Sequence, residues 1–153
     1  MEKKLIKAYK IFKPNKTNNG AASQFSWAQD KKCMFLEAAS QLPTKDQEGN
    51  STFDWKNKLS FKLGEVDIAQ ILCVLRGIKD SVGYGDKGLF HSFGNNNAVL
   101  RFQKGDKGGY YLGISVKKEG SEPVGVKHAL TDSEGVLLEI LLSRAIELVY
   151  DWN

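Results

Sequence analysis

Two histidines, His91 and His128, are all the imidazole chemistry this chain offers, and neither has a second His or Cys at metal-ligand spacing. No nucleophile elbow, zinc-protease, paired-cysteine or phosphate-loop pattern occurs. GYGDKG (83–88) and GDKGG (105–109) have the glycines of a phosphate cradle. A cradle must open a helix N-terminus, and both stretches lead into strand-like runs, so they read as turns. His128 alternates with Val124 and Val126 and reads as a half-buried sheet residue. Asp and Glu are scattered, with no pair spaced for acid–base work. The sequence therefore predicts no catalytic residue, no metal and no cofactor, and a protein that is not an enzyme.

The residue types that recur in a pattern are lysine and the aromatic rings. STFDWKNKLSFKL (51–63) reads as one long strand, with Phe53, Trp55, Leu59, Phe61 and Leu63 on one face. Asp54, Lys56, Lys58, Ser60 and Lys62 fall on the other, a lysine ladder along one side of a sheet. Lys10, Lys13, Lys31 and Lys32 add to it from neighbouring segments. The net charge of +4 is also uneven. Residues 1–62 hold twelve lysines against six acids, and residues 63–153 hold ten basic residues against twelve acids. Lysine is a flexible point charge suited to a phosphate backbone, and base-edge readout favours arginine. A basic sheet with rings between the cations holds single strands without strict sequence preference, because phosphates follow the cations while bases stack. The nucleic-acid candidates are Lys10, Phe12, Lys13, Phe25, Trp27, Lys31, Lys32, Lys56, Lys58, Lys62, Arg101, Lys104 and Tyr111.

The elements that must position these residues come in one order, given twice. In the first half the expected strands are 8–13, 21–29, 33–41 and 51–63, with a loop at 43–50 and a helix over 64–80. In the second half SVGYGDKGLFHSFG (81–94) is an irregular first strand, followed by strands at 97–103, 110–118 and 124–130. Thr131 is the expected N-cap of a last helix, and Glu134 completes a capping box. The predicted fold is α+β, two four-stranded antiparallel sheets each followed by a helix. It forms a single domain over 1–153 made of two pseudo-repeats, about 8–80 and 81–152.

Both helices are apolar around more of their circumference than the ~100° arc that one sheet covers. The readings are a helix sandwiched inside one monomer or a helix-centred homo-oligomer, with Ile71, Leu75, Leu137, Ile140, Leu141, Arg144 and Leu148 as interface residues. Cys33 and Cys73 lie in apolar runs and read as buried free thiols. The charged N-terminus has no apolar stretch behind it, and no run approaches the ~18 apolar residues of a membrane span. The expectation is an intracellular protein, cytoplasmic or nucleoid-associated, with no membrane and no targeting segment.

Several stretches carry a resemblance. GAASQFSWAQDKKCMFLEAA, FDWKNKLSFKLGEVDIAQIL, GLFHSFG and VKHALTDSEGVLLEILLSRAIELVYDW resemble the second and third strands, the aromatic-Asp-Trp strand, the Phe-His opening and the closing helix with its Trp of the Whirly family of single-stranded-DNA-binding proteins. Gly20-Ala21-Ala22 is retained from a motif that plant members use for higher assembly, but its flanking lysines are absent. Kinetoplastid guide-RNA-binding proteins and a single-stranded-DNA-binding transcription coactivator are related to that family in fold. The resemblance implies a single-stranded DNA partner, with RNA as the alternative, and a homotetramer around the helices. The expected role is support of replication, repair, recombination or transcription. A reading of another class is a protein-interaction module that uses the apolar helices to bind a partner chain.

Overall fold

The computed structural model describes residues 7–85 and 87–152. The charged start read above (1–6), Asp86 of the GYGDKG turn and Asn153 lie outside the described residues. The first sheet comprises β1 (Tyr9–Lys13), β2 (Ala21–Ala28), β3 (Cys33–Lys45), β4 (Ser51–Phe53) and β5 (Leu59–Leu63). β1, β2 and β3 are consecutive antiparallel neighbours, and β4 and β5 both pair with β3. The helix α1 (Glu65–Leu75) follows. The second sheet is an antiparallel meander of β6 (Leu89–Phe93), β7 (Asn96–Lys104), β8 (Tyr110–Lys117) and β9 (Val124–Leu130), closed by α2 (Asp132–Val149).

The expected long strand over 51–63 is interrupted. A 3-10 turn at Trp55–Asn57 separates β4 from β5. Asp54 makes the break: its carboxylate accepts from Asn57 Nδ2 at 3.0 and 3.2 Å, and its carbonyl accepts from Asn57 N–H at 3.1 Å. A side-chain pair and a one-turn backbone bond thus stand where the sheet ladder would continue. The break reverses the parity read for Phe53. It pairs with Gln41 on the outward side of β3, whereas Leu59 and Phe61 pair with Ala38 and Leu36 on the inward side. The loop expected before the long strand, over 43–50, is also shorter, because β3 continues to Lys45.

The two sheets face each other across one core that includes Phe25, Leu36, Phe61, Leu100, Phe102, Leu138 and Leu142. Phe61 lies 4.3 Å from the His91 ring across the interface. His128 of β9 reaches Ser23 of β2, with Nε2 accepting from the hydroxyl at 2.7 Å while Nδ1–H donates to the Ala129 carbonyl at 3.0 Å. His128 is thus a half-buried sheet residue turned toward the first sheet, as its alternation suggests. Burial drives its pKa below 6.5 and the Lys13 charge adds to this, outweighing the Ala129 carbonyl and Glu134. Because the folded pKa is depressed, the unfolded chain takes up the proton first as pH falls. Stability is therefore full above about pH 6.5 and declines as the pH drops below it. Urea unfolding at pH 7.5 and 5.5 should show a lower midpoint at 5.5. The difference should shrink in His128→Gln, and an equal difference in both proteins would refute the assignment.

Thr131 caps α2 as expected, its hydroxyl accepting from Glu134 N–H at 3.2 Å while Glu134 Oε1 accepts from Thr131 N–H at 2.9 Å. The expected first helix over 64–80 stops at Leu75, because Gly77 takes φ +75° and its N–H turns back to Val74. One interface expectation falls with this packing, since Ile71 is fully buried in the core of its own chain, whereas Leu75 is half-buried against that core. Leu137, Ile140, Leu141 and Arg144 do lie on the exposed side of α2, and Leu148 is half-buried. No described helix is long and apolar enough to cross a membrane.

Candidate nucleic-acid interface

With the inner faces joined, the outer faces of the two sheets point in opposite directions. On the first sheet, strand register arranges the outward residues in rows. Phe12, Ala22 and Ala39 lie side by side, and the Phe53 ring meets Phe12 at 5.6 Å. The next row is Lys10, Gln24, Glu37 and Ser60, and the next is Ser26, Phe35 and Lys62. The Lys31 ammonium lies 5.3 Å from the centre of the Phe35 ring. A ring row, a lysine-bearing row and a row with both therefore follow one another along the strands of this face. Lys56 is exposed on the 3-10 turn, beside this surface in sequence but not in the sheet.

One carboxylate sits within the platform. Burial works to raise the Glu37 pKa, but hydrogen bonds from Lys58, Gln24 and Ser60 and the Lys58 charge outweigh it and hold Glu37 ionised below the usual carboxylate range. Lys58 approaches it at 2.6 Å. Lys58 is thus partly neutralised, and Lys10, Lys31 and Lys62 carry the excess charge of this face.

The second sheet presents an open trough of about 720 Å³ on its outer face. Register lays its floor as a grid. Gln103, Tyr111 and Ala129 form one row, Arg101, Gly113 and Lys127 the next, and Val99, Ser115 and Gly125 the third. Phe90 of β6 extends the third row beside Val99. Gly113 and Gly125 leave the floor open, two cations stand either side of Gly113, and Tyr111 is half exposed at one end. The arrangement offers phosphate contacts beside a stacking ring, the two elements that grip a single strand.

Several expected site residues lie elsewhere. Phe25 is 1% exposed and belongs to the core, because β2 turns Ala21, Ser23, Phe25 and Trp27 inward. Trp27 packs against that core and donates its Nε1–H to Gln29 at 2.8 Å. Lys13 also points inward and pairs with Glu134 at 2.6 Å, joining β1 to α2. Burial tends to raise the Glu134 pKa, but Lys13 and the Thr131 N–H lower it overall. Lys32 pairs with Asp151 beyond the end of α2. Lys104 stands at the end of β7 with the parity of its buried residues, off the trough floor. Phe12, Lys10, Lys31, Lys62, Arg101 and Tyr111 are on the outer faces. Phe35, Phe53, Gly113 and Lys127 were not among the expected residues. Lys127 was within reach of the sequence, since it sits between Val126 and His128, whose inward parity sends it outward.

No protein-family model matches the chain, and no curated protein does. Its fold is nevertheless that of several solved structures. Arabidopsis thaliana WHY3 superposes with a TM-score of 0.73 at 16% identity, over 99% of this chain and 92% of that one. The plant transcriptional regulator PBF-2 gives 0.72 at 19%, over 99% and 86%. A guide-RNA-binding protein complex bound to a guide RNA gives 0.64 at 16%, over 97% and 94%. The chain thus has the Whirly-like fold that its sequence resemblance implied.

Proposed function

We propose that this protein is a non-catalytic binder of single-stranded nucleic acid, DNA in the first instance, with little sequence specificity, acting as a homo-oligomer built on its helices. The observation that carries the reading is the trough of the second sheet, where Arg101 and Lys127 flank an open glycine floor beside Tyr111. The lysine-and-ring platform of the first sheet supports it, and so does the shared fold with proteins described as a transcriptional regulator and a guide-RNA binder. Backbone cations and rings discriminate poorly among bases, which favours a role in covering exposed strands during replication, repair or recombination. Both thiols, Cys33 and Cys73, are free, which suits an intracellular setting.

Fluorescence anisotropy with a labelled oligothymidine tract tests the reading. Affinity should fall linearly on a log–log plot against salt, with a slope of about −0.7 per phosphate contacted. Duplex of the same length should bind more weakly. Absence of binding at low salt, or equal affinity for duplex, would overturn the proposal. RNA of the same sequence, added as competitor, decides between the DNA reading and the RNA reading that the guide-RNA complex favours.

A further inference from the structure

The two helices end in the same way but with different residues. In α1 the left-handed position after the cap is Gly77, and Ile78 N–H returns to the Cys73 carbonyl at 2.8 Å. In α2 that position is Asp151 at φ +56°, Asp151 N–H returns to Leu148 at 3.3 Å, and Trp152 N–H to Glu147 at 3.0 Å. Both are Schellman endings, for which glycine is the default residue because a Cβ is disfavoured there. Asp151 gives up that advantage and pairs instead with Lys32 in the β2–β3 turn. The Tyr150 hydroxyl faces the Glu65 carboxylate at the start of α1, which raises its pKa.

These ties fix two rings in the open. Trp152 is 75% exposed and Tyr150 51%, with ring centres 5.6 Å apart. Single exposed rings need no explanation, but an adjacent pair anchored to two other elements does. The anchors also locate the pair. The β2–β3 turn and the β5–α1 junction lie at one end of the first sheet, where Met34 pairs with Leu63. The Phe35–Lys62 row, with Lys31 over Phe35, is one residue from that end. There Asp151 pairs with Lys32, Asp67 accepts from Gly64 N–H and meets His91, and Glu65 faces Tyr150, so Lys31 and Lys62 are opposed by Asp30 of the turn.

We propose that the Tyr150–Trp152 pair is a stacking site for a nucleobase, taking a base of a single strand as it leaves the lysine-bearing end of the first sheet. The inference rests on the single-strand reading and adds a contact outside both sheets. An anchored ring has little freedom left to lose on stacking, so its surface is ready for a flat apolar partner.

The test is anisotropy titration of labelled oligothymidine with the wild-type protein, Trp152→Ala and Trp152→Phe, with light scattering and thermal melting of each. Trp152→Ala should bind roughly 5- to 150-fold more weakly, the range that one stacked base gives. Trp152→Phe should stay within about threefold of wild type, since it keeps a ring. Mass and melting temperature should not change, because the side chain is exposed. Wild-type affinity in Trp152→Ala, or equal losses in both variants, would overturn the inference. A changed mass in Trp152→Ala would overturn it too, by assigning the ring to a contact between copies. Failure of the wild-type protein to bind any oligonucleotide would instead overturn the single-strand reading itself.

Discussion

Replacing Gly113 by glutamate should weaken oligonucleotide binding by about tenfold or more and leave the protein fully folded. Gly113 stands between Arg101 and Lys127 on the trough floor. A Cβ built there meets only the Lys127 Cβ at 3.5 Å and the Val126 carbonyl at 3.8 Å, both ordinary contacts. The backbone is not left-handed at this position, so a larger residue carries no strain. Glycine within a strand is itself unfavourable, and its replacement should hold or slightly raise stability. The new carboxylate would oppose phosphate at the point where two cations attract it. Hydrogen bonds to charged groups contribute about 1.5–3 kcal/mol each, and 1.4 kcal/mol is a factor of ten. Losing two phosphate contacts should also flatten the salt dependence by about 1.4 log units per log unit of salt. Gly113→Ala is the control and should change both quantities little. Wild-type affinity and slope in Gly113→Glu would remove the trough from the path of the strand.

The difference between what the sequence disclosed and what it hid follows from the range of each interaction. The meander of the second sheet and the Thr131–Glu134 cap were legible because strand alternation and capping are local, within a few residues. The break at Asp54 is local as well, yet its Asp–Asn bond competes with a strand pattern that runs through it, and the pattern alone suggested continuity. Parity failed in β2 for another reason. AASQFSWA carries small residues on both faces, and Ala22 is buried on the outer side beneath the Phe12–Phe53 pair. Nothing in that stretch tells which side Phe25 takes. The partners of the lysines are the least legible part of the site. Lys13 and Glu134 are 121 residues apart, and only the docking of α2 on β1 turns a candidate phosphate contact into a tie between elements.

Ile140→Asp should reduce the solution mass to that of a single chain without unfolding it. Leu138, Leu142 and Ala145 of α2 are buried in the core. On the other side Val136, Leu137, Ile140 and Leu141 are 41–61% exposed, an apolar stripe with the three- and four-residue spacing of a helix face. Full burial of such side chains contributes about 1.5–3 kcal/mol each, so several on every copy give a strong drive to associate. Arg144, paired with Glu147 at 2.9 Å, borders the stripe with charge and suits a polar rim. Ile140 contributes nothing to the core of its own chain, so an aspartate there should leave the melting of the isolated protomer intact while placing a charge in the contact between copies. On the proposed homo-oligomer, light scattering should read a multiple of the single-chain mass for the wild type and one chain for the variant. Binding should separate accordingly. A short oligonucleotide that spans one protomer should keep its affinity, whereas a long one should lose much of the 10²–10⁴ that linked sites supply. An unchanged mass would show that α2 is not the contact, and the loss of affinity for short and long strands alike would show that the variant damages the protomer.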